Sequence, residues 1–70
     1  MPLSLSNYIG RRLQLARKKI GITQAEAAKQ AGTNTNYYAK LERGEAVPSL
    51  KMLEKIIKAL GTTSSEILPF

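Results

Sequence analysis

The chain has 70 residues, which is enough for one domain spanning residues 1–70 with a small hydrophobic core. It contains no cysteine, histidine or aspartate, so disulfides, thiolate or imidazole metal ligands and side chains that titrate near neutral pH are all missing. We therefore predict no enzyme activity, no metal site and no cofactor. Eleven Lys and Arg residues against five Glu residues give a formal charge of +6, which predicts a polyanionic partner.

The first residues predict neither a leader nor a membrane anchor. They lack a charged segment followed by an apolar one, and no later stretch approaches the ~18 consecutive apolar residues of a membrane span. We therefore expect a cytoplasmic protein without a membrane partner. A membrane-surface role for a basic amphipathic first helix is a weaker alternative.

Apolar residues recur every three or four positions near the start of the chain, which predicts an amphipathic first helix ending at Gly21. The residues expected on its buried face are Leu5, Ile9, Leu13, Ala16 and Ile20. Arg and Lys residues occupy its other faces, and those in the last turn complement the helix dipole. The first helix is therefore expected to have a core stripe and a cationic outer surface.

Two short helices are predicted next, joined by a tight turn. Thr23 and Glu26 have the spacing of a capping box, so the second helix is expected to start at Gln24. Gly32 ends it, and Asn34 is a good N-cap for a third helix from Thr35 to about Arg43. Two helices separated by a short glycine-containing turn, at about residues 24–43, predict a helix-turn-helix.

A fourth helix is expected to begin after Ser49, and a last helical turn after Thr63, where a second capping-box pattern reaches Glu66. The fourth helix has one apolar stripe of Leu50, Leu53, Ile57 and Leu60 and a second of Met52, Ile56 and Ala59. So many apolar residues exceed the needs of one small core and predict a homodimer. The residues expected at the dimer interface are Met52, Ile56, Ile67, Leu68 and Phe70.

The third helix has two different faces. With Tyr38 pointing inward, Leu41 and Glu42 share its side, whereas Asn36, Lys40 and Arg43 lie opposite. Asn can pair with adenine, Lys can donate to guanine, and a Thr hydroxyl near the helix start can contact a base edge. Thr35, Asn36 and Lys40 are therefore the predicted base-reading residues of a double-stranded DNA site.

The sequence resembles the lambda-repressor-like, or Xre-type, helix-turn-helix family over nearly its whole length. The residues that carry the resemblance are Ile9-Gly10, Arg12-Leu13, Arg17, Gly21-Ile22-Thr23-Gln24, Glu26, Ala28, Gly32, Leu41-Glu42-Arg43-Gly44, Pro48-Ser49-Leu50, Leu53 and Ala59-Leu60-Gly61. The resemblance implies an all-α, compact five-helix bundle that binds palindromic operators as a dimer and regulates transcription.

The resemblance also implies roles for individual residues. Gln24 and Arg43 would contact DNA phosphates, and Arg17 would form an internal ion pair with Glu42. Tyr37 is assigned to a phosphate from its position at the side of the third helix and not from the resemblance, with packing on a sugar or on the first helix as the alternatives. The sequence departs from the family at residues 45–47, Glu-Ala-Val, where basic residues are frequent, so fewer phosphate contacts are expected there.

Two functions of different classes follow from this pattern. The first is a repressor or autoregulator that reads the major groove as a dimer. The alternative is an antitoxin or protein-interaction module of the same fold, whose partner is a toxin or another protein and whose DNA binding is secondary. Salt-dependent DNA binding without a protein partner separates the two.

Overall fold

The computed structural model describes residues 4–70, and within them five α-helices pack around one core. Their bounds, in chain order, are α1 Leu5–Ile20, α2 Gln24–Gln30, α3 Thr35–Glu42, α4 Leu50–Leu60 and α5 Ser64–Ile67. The predicted all-α five-helix bundle is confirmed, as are the starts of the second, third and fourth helices.

Local signals set most of these boundaries. Thr23 and Glu26 form both hydrogen bonds of the predicted capping box, and the Asn34 side chain accepts from the Tyr37 amide at 2.8 Å. The Ser49 hydroxyl likewise accepts from the Met52 amide at 3.0 Å. Gly21 ends α1 in the left-handed region, with φ of 74°, which a residue with a side chain adopts only with strain.

The core lies where α1 packs against α3, α4 and α5, with α2 against α3 and α4. Its largest fully buried side chains are Leu13, Tyr38, Leu41, Ile56, Leu60 and Ile67. Alanines at the buried face of α2, Ala27 and Ala28, let its neighbours approach closely. This packing fixes the third helix by its inner side and leaves its outer side free.

The contact between α1 and α3 depends on a glycine. A Cβ added at Gly10 would lie 2.6 Å from the carbonyl oxygen of Glu42 and closer still to that of Leu41. These carbonyls belong to the last turn of α3, so the absence of a side chain at Gly10 sets how closely the two helices approach.

Several expected positions are corrected by the structure. Leu5 and Ile20 are about half exposed because they lie at the two ends of α1, beyond the elements that cover its middle. Leu50 is 87% exposed, whereas Leu53, Ile56 and Leu60 are buried. The core face of α4 therefore lies between the two predicted stripes and takes residues from both.

The same burial corrects part of the predicted dimer interface. Ile56 and Ile67 are 0% and 1% exposed within one chain, so they have no surface to offer a partner, and their assignment to the interface is wrong. The expected capping box at α5 is also wrong. The Thr63 side chain makes no cap hydrogen bond and pairs with the Ser65 hydroxyl, while Glu66 binds Arg12.

Candidate nucleic-acid interface

The outer face of α3 is polar, cationic and accessible. Thr35, Asn36, Lys40 and Arg43 are all exposed, and the last three recur at helical spacing on one side. Tyr38, Leu41 and Glu42 are buried on the other side, as predicted. The outer face therefore presents an amide, an ammonium and a guanidinium on a helix that cannot rotate without breaking the core.

Tyr37 lies between these two faces. It is partly buried and packs against the core cluster, which agrees with the packing alternative for its ring. A side chain in this position can still present its hydroxyl at the edge of the surface, and its contact with a phosphate stays a prediction.

The predicted ion pair between Arg17 and Glu42 is present and joins α1 to α3. The Arg17 Nε donates to Glu42 Oε2 at 2.7 Å and its Nη2 donates to Oε1 at 3.1 Å. A third donor, Nη1, binds the Ile22 carbonyl oxygen at 2.9 Å. The side chains are 11% and 2% exposed, so the pair is shielded from water and several of its hydrogen-bonding groups are satisfied within the fold.

Gln24 has a contact that the sequence reasoning missed. Its Nε2 donates to Glu42 Oε1 at 2.9 Å, so the first residue of α2 is tied to the inner side of α3. One N–H of the amide group and the free backbone amides of the first turn of α2 remain for a phosphate. The sequence does offer one indication of this contact, which is the inward-facing Glu42. Its two carboxylate oxygens can accept more hydrogen bonds than the two that Arg17 donates to them.

The electrostatics of this cluster follow from its contacts. Burial alone would raise the pKa of Glu42, but hydrogen bonds from Arg17 and Gln24 outweigh it and hold the pKa below its ordinary range. Burial raises the pKa of Tyr38, whose hydroxyl has no hydrogen-bond partner within residues 4–70. At neutral pH Glu42 is therefore charged and Tyr38 neutral, both on the buried side of α3.

Arg43, at the end of α3, is exposed but already paired. Its Nε donates to Glu45 Oε2 at 2.8 Å and its Nη2 donates to Oε1 at 3.2 Å. The absence of positive charge at residues 45–47 is evident from the sequence, but this ion pair is not. The turn at Gly44 brings the Glu45 carboxylate back to the end of α3, and this arrangement depends on the folded conformation of the loop.

A second surface ion pair involves Arg12. Arg12 Nη2 binds Glu66 Oε2 at 3.1 Å and joins α1 to α5. From the sequence, Arg12 is predicted only to be one of the cationic residues of the first helix. This arginine is therefore engaged within the fold by a residue of α5.

Comparison with known proteins gives a family match that covers most of the chain. The model of the helix-turn-helix family HTH_3 matches residues 13–67, which include α2 and α3 in full.

No helix within residues 4–70 is both long and apolar enough to cross a membrane.

Two similar proteins are phage repressors. The chain is 37% identical over 60 residues to the immunity repressor protein of Bacillus phage phi105, covering 86% of this chain and 42% of that protein. It is 39% identical over 59 residues to the cryptic phage CTXphi transcriptional repressor RstR of Vibrio cholerae, covering 84% of this chain and 53% of that protein. The chain thus spans about half the length of these two relatives.

A similar solved structure is that of the restriction-modification controller protein C.AhdI from Aeromonas hydrophila. The two chains are 28% identical and superpose with a TM-score of 0.86 over 90% of this chain and 91% of that one. The likeness extends over the whole bundle, so the arrangement of α3 on its supporting helices is shared with this protein.

Proposed function

Since the chain belongs to the HTH_3 helix-turn-helix family of DNA-binding transcription regulators, we propose that it represses or autoregulates transcription by reading a palindromic operator as a dimer. The observation that carries this proposal is the outer face of α3, which is polar and cationic while its inner face is fixed in the core. Such a helix can enter a major groove without losing its packing.

Sequence choice is assigned to the first two turns of α3. Asn36 is suited to a bidentate pair with adenine, and Lys40, one turn later, to donation to guanine O6 and N7. Thr35 lies in the first turn, where its hydroxyl or methyl group can meet a base edge. The exposure of all three side chains supports this assignment.

Affinity and orientation are assigned to residues around the rim of α3. Gln24, Tyr37 and Arg43 would contact phosphates, because such contacts position a protein on the duplex but carry no base information. The free N–H groups at the start of α2 would add to the Gln24 contact, since a helix N-terminus favours an anion.

The dimer is assigned to the apolar side of α4 and the residues after α5. Leu50, Ile57 and Leu68 line a groove there, and Phe70 is 84% exposed nearby in sequence. Met52, Leu68 and Phe70 keep exposed surface and remain interface candidates, and Leu50 joins them. A second copy would cover this apolar surface and set two recognition helices about 34 Å apart, one turn of DNA.

Binding to a labelled random-sequence duplex as a function of salt tests the DNA-binding function without knowledge of the operator. We expect log affinity to fall linearly with log salt, because neutralised phosphates release counterions. Lys40→Ala should weaken binding, whereas Lys55→Ala, at an exposed lysine of α4, should not. Equal effects of the two substitutions, or binding that ignores salt, would contradict the assignment of this face to DNA.

A further inference from the structure

Arg43 and Glu45 form a two-point contact at the end of the recognition helix. The Nε and Nη2 groups of Arg43 each bind one oxygen of Glu45, at 2.8 and 3.2 Å. The two side chains are 53% and 55% exposed, so DNA can reach the pair. Parallel donation from these two nitrogens is also how an arginine binds a phosphate.

The loop after α3 holds Glu45 in place through its backbone. The Glu45 amide donates to the Lys40 carbonyl oxygen at 2.9 Å, and the Gly44 amide donates to Leu41 at 3.1 Å. Gly44 has φ of 75°, and this left-handed turn reverses the chain at the helix end. The carboxylate therefore faces Arg43 because of the backbone conformation that ends α3.

Glu45 acts on two of the residues assigned to DNA. The hydrogen bond from Arg43 lowers the pKa of Glu45, with smaller contributions from the charges of Arg43 and Lys40. The carboxylate is thus ionised at neutral pH and lies within the field of both cations. An incoming phosphate would meet a guanidinium of which two nitrogens, Nε and Nη2, already donate to Glu45.

We propose that Glu45 is an internal competitor for the DNA backbone, occupying the Arg43 donors that a phosphate would take and thereby lowering the affinity of the protein for DNA. The inference rests on the proposed function and adds a residue that regulates its strength. Binding exchanges one anion for another at Arg43, so the gain from this contact is the difference between the two pairs.

The test is a double-mutant cycle on DNA affinity with Glu45→Gln and Arg43→Ala. Glu45→Gln should tighten binding roughly two- to fivefold per subunit, the range that corresponds to an exposed ion pair. In the Arg43→Ala background the same substitution should give a much smaller gain, since no guanidinium remains to be released. The gain should also shrink from about 50 to about 200 mM salt as the pair is screened.

Glu26→Gln is the matched control. It removes an exposed carboxylate from the first turn of α2, and Gln can replace Glu in a capping box. Any effect of Glu26→Gln on DNA affinity should be the same with and without Arg43, because Glu26 has no contact with that arginine among the hydrogen bonds of residues 4–70. It thus measures long-range repulsion alone.

Two results would overturn the inference while leaving the proposed function intact. Equal gains from Glu45→Gln in both backgrounds would mean that Glu45 acts only by repulsion. Weaker binding by Glu45→Gln would mean that it holds Arg43 in a productive position. A parent protein that fails to bind duplex DNA at all would overturn the proposed function and this inference together.

Discussion

At the scale of single residues, the shielded ion pair of Arg17 and Glu42 explains how the cationic outer face of α3 is held on a stable core. Glu42 is the one charged residue that is buried in the described part of the chain. Arg17 and Gln24 bring donors to it from two other helices. A buried carboxylate with several donors is stable only in one arrangement, so these contacts fix the position of α3 relative to α1 and α2.

Removing one member of the Arg17–Glu42 ion pair should lower the free energy of unfolding more than removing both members. Glu42→Gln leaves the Arg17 guanidinium buried without its counter-charge, at an expected cost of about 3–5 kcal/mol in the free energy of unfolding. The double variant Arg17→Met, Glu42→Leu removes both charges and should be much closer to the parent. Urea denaturation gives the free energy of unfolding of the parent, of Glu42→Gln and of the double variant. A Glu42→Gln variant as stable as the parent would refute the role of the pair.

The lowered pKa of Glu42 predicts how its contribution depends on pH. Its folded-state pKa lies below the unfolded value of about 4.3, so the stabilisation is complete above that pH and is lost as the pH falls through the folded pKa. The difference in unfolding free energy between the parent and Glu42→Gln should be constant near neutral pH and shrink below about pH 4. A difference that stays constant through strong acid would contradict this account.

The critical contact at the scale of helices is the approach of α1 to the last turn of α3. Replacing a glycine by alanine inside a helix normally stabilises the helix by about 1 kcal/mol. Here the added methyl group would meet two carbonyl oxygens of α3, so we expect a net loss of about 1–3 kcal/mol and weaker DNA binding. Thermal unfolding of the Gly10→Ala variant measures the effect, and Arg11→Ala, at an exposed neighbouring residue of α1, is the control. A more stable Gly10→Ala variant would rule out the close approach.

Local chemistry made the helices predictable from sequence. The caps at Thr23, Asn34 and Ser49 act through hydrogen bonds within three residues, so the sequence contains both partners. The inward side of α3 was also predictable, because Tyr38 and Leu41 share a face at helical spacing. These signals place the candidate DNA site on the side of α3 that the structure leaves exposed.

Positions decided by distant neighbours were less predictable. The last capping box fails because Arg12, 54 residues away, takes the Glu66 side chain. The periodicity of α4 predicts two apolar stripes but not which residues of each stripe meet the core. Ile56 is therefore predicted at the dimer interface but is buried, and Leu50 is predicted in the core but is exposed. The contacts of Gln24 and Glu45 likewise depend on where other elements pack.

At the scale of the whole molecule, the proposed dimer accounts for apolar surface that one chain leaves uncovered. Leu50→Glu should shift sedimentation toward the monomer without unfolding the chain, because this side chain is 87% exposed and a Glu is tolerated in the first turn of a helix. Val47→Glu, at a residue 73% exposed and outside the groove on α4 and α5, is the control and should leave the oligomeric state unchanged. A parent that sediments as a monomer at tens of micromolar and binds one subunit per operator would contradict the dimer.

The central claim is that the outer face of α3 reads base sequence, and selection of bound duplexes from a random pool tests it most directly. The parent should select a palindrome with half-sites about one DNA turn apart. Asn36→Ala should select the same palindrome with preference lost at one position in each half-site, at a cost of about 1–3 kcal/mol, whereas Arg43→Ala should keep every preference and bind all sequences more weakly. Identical selected sequences for the parent and Asn36→Ala, with equal affinity, would show that α3 is not the reading helix.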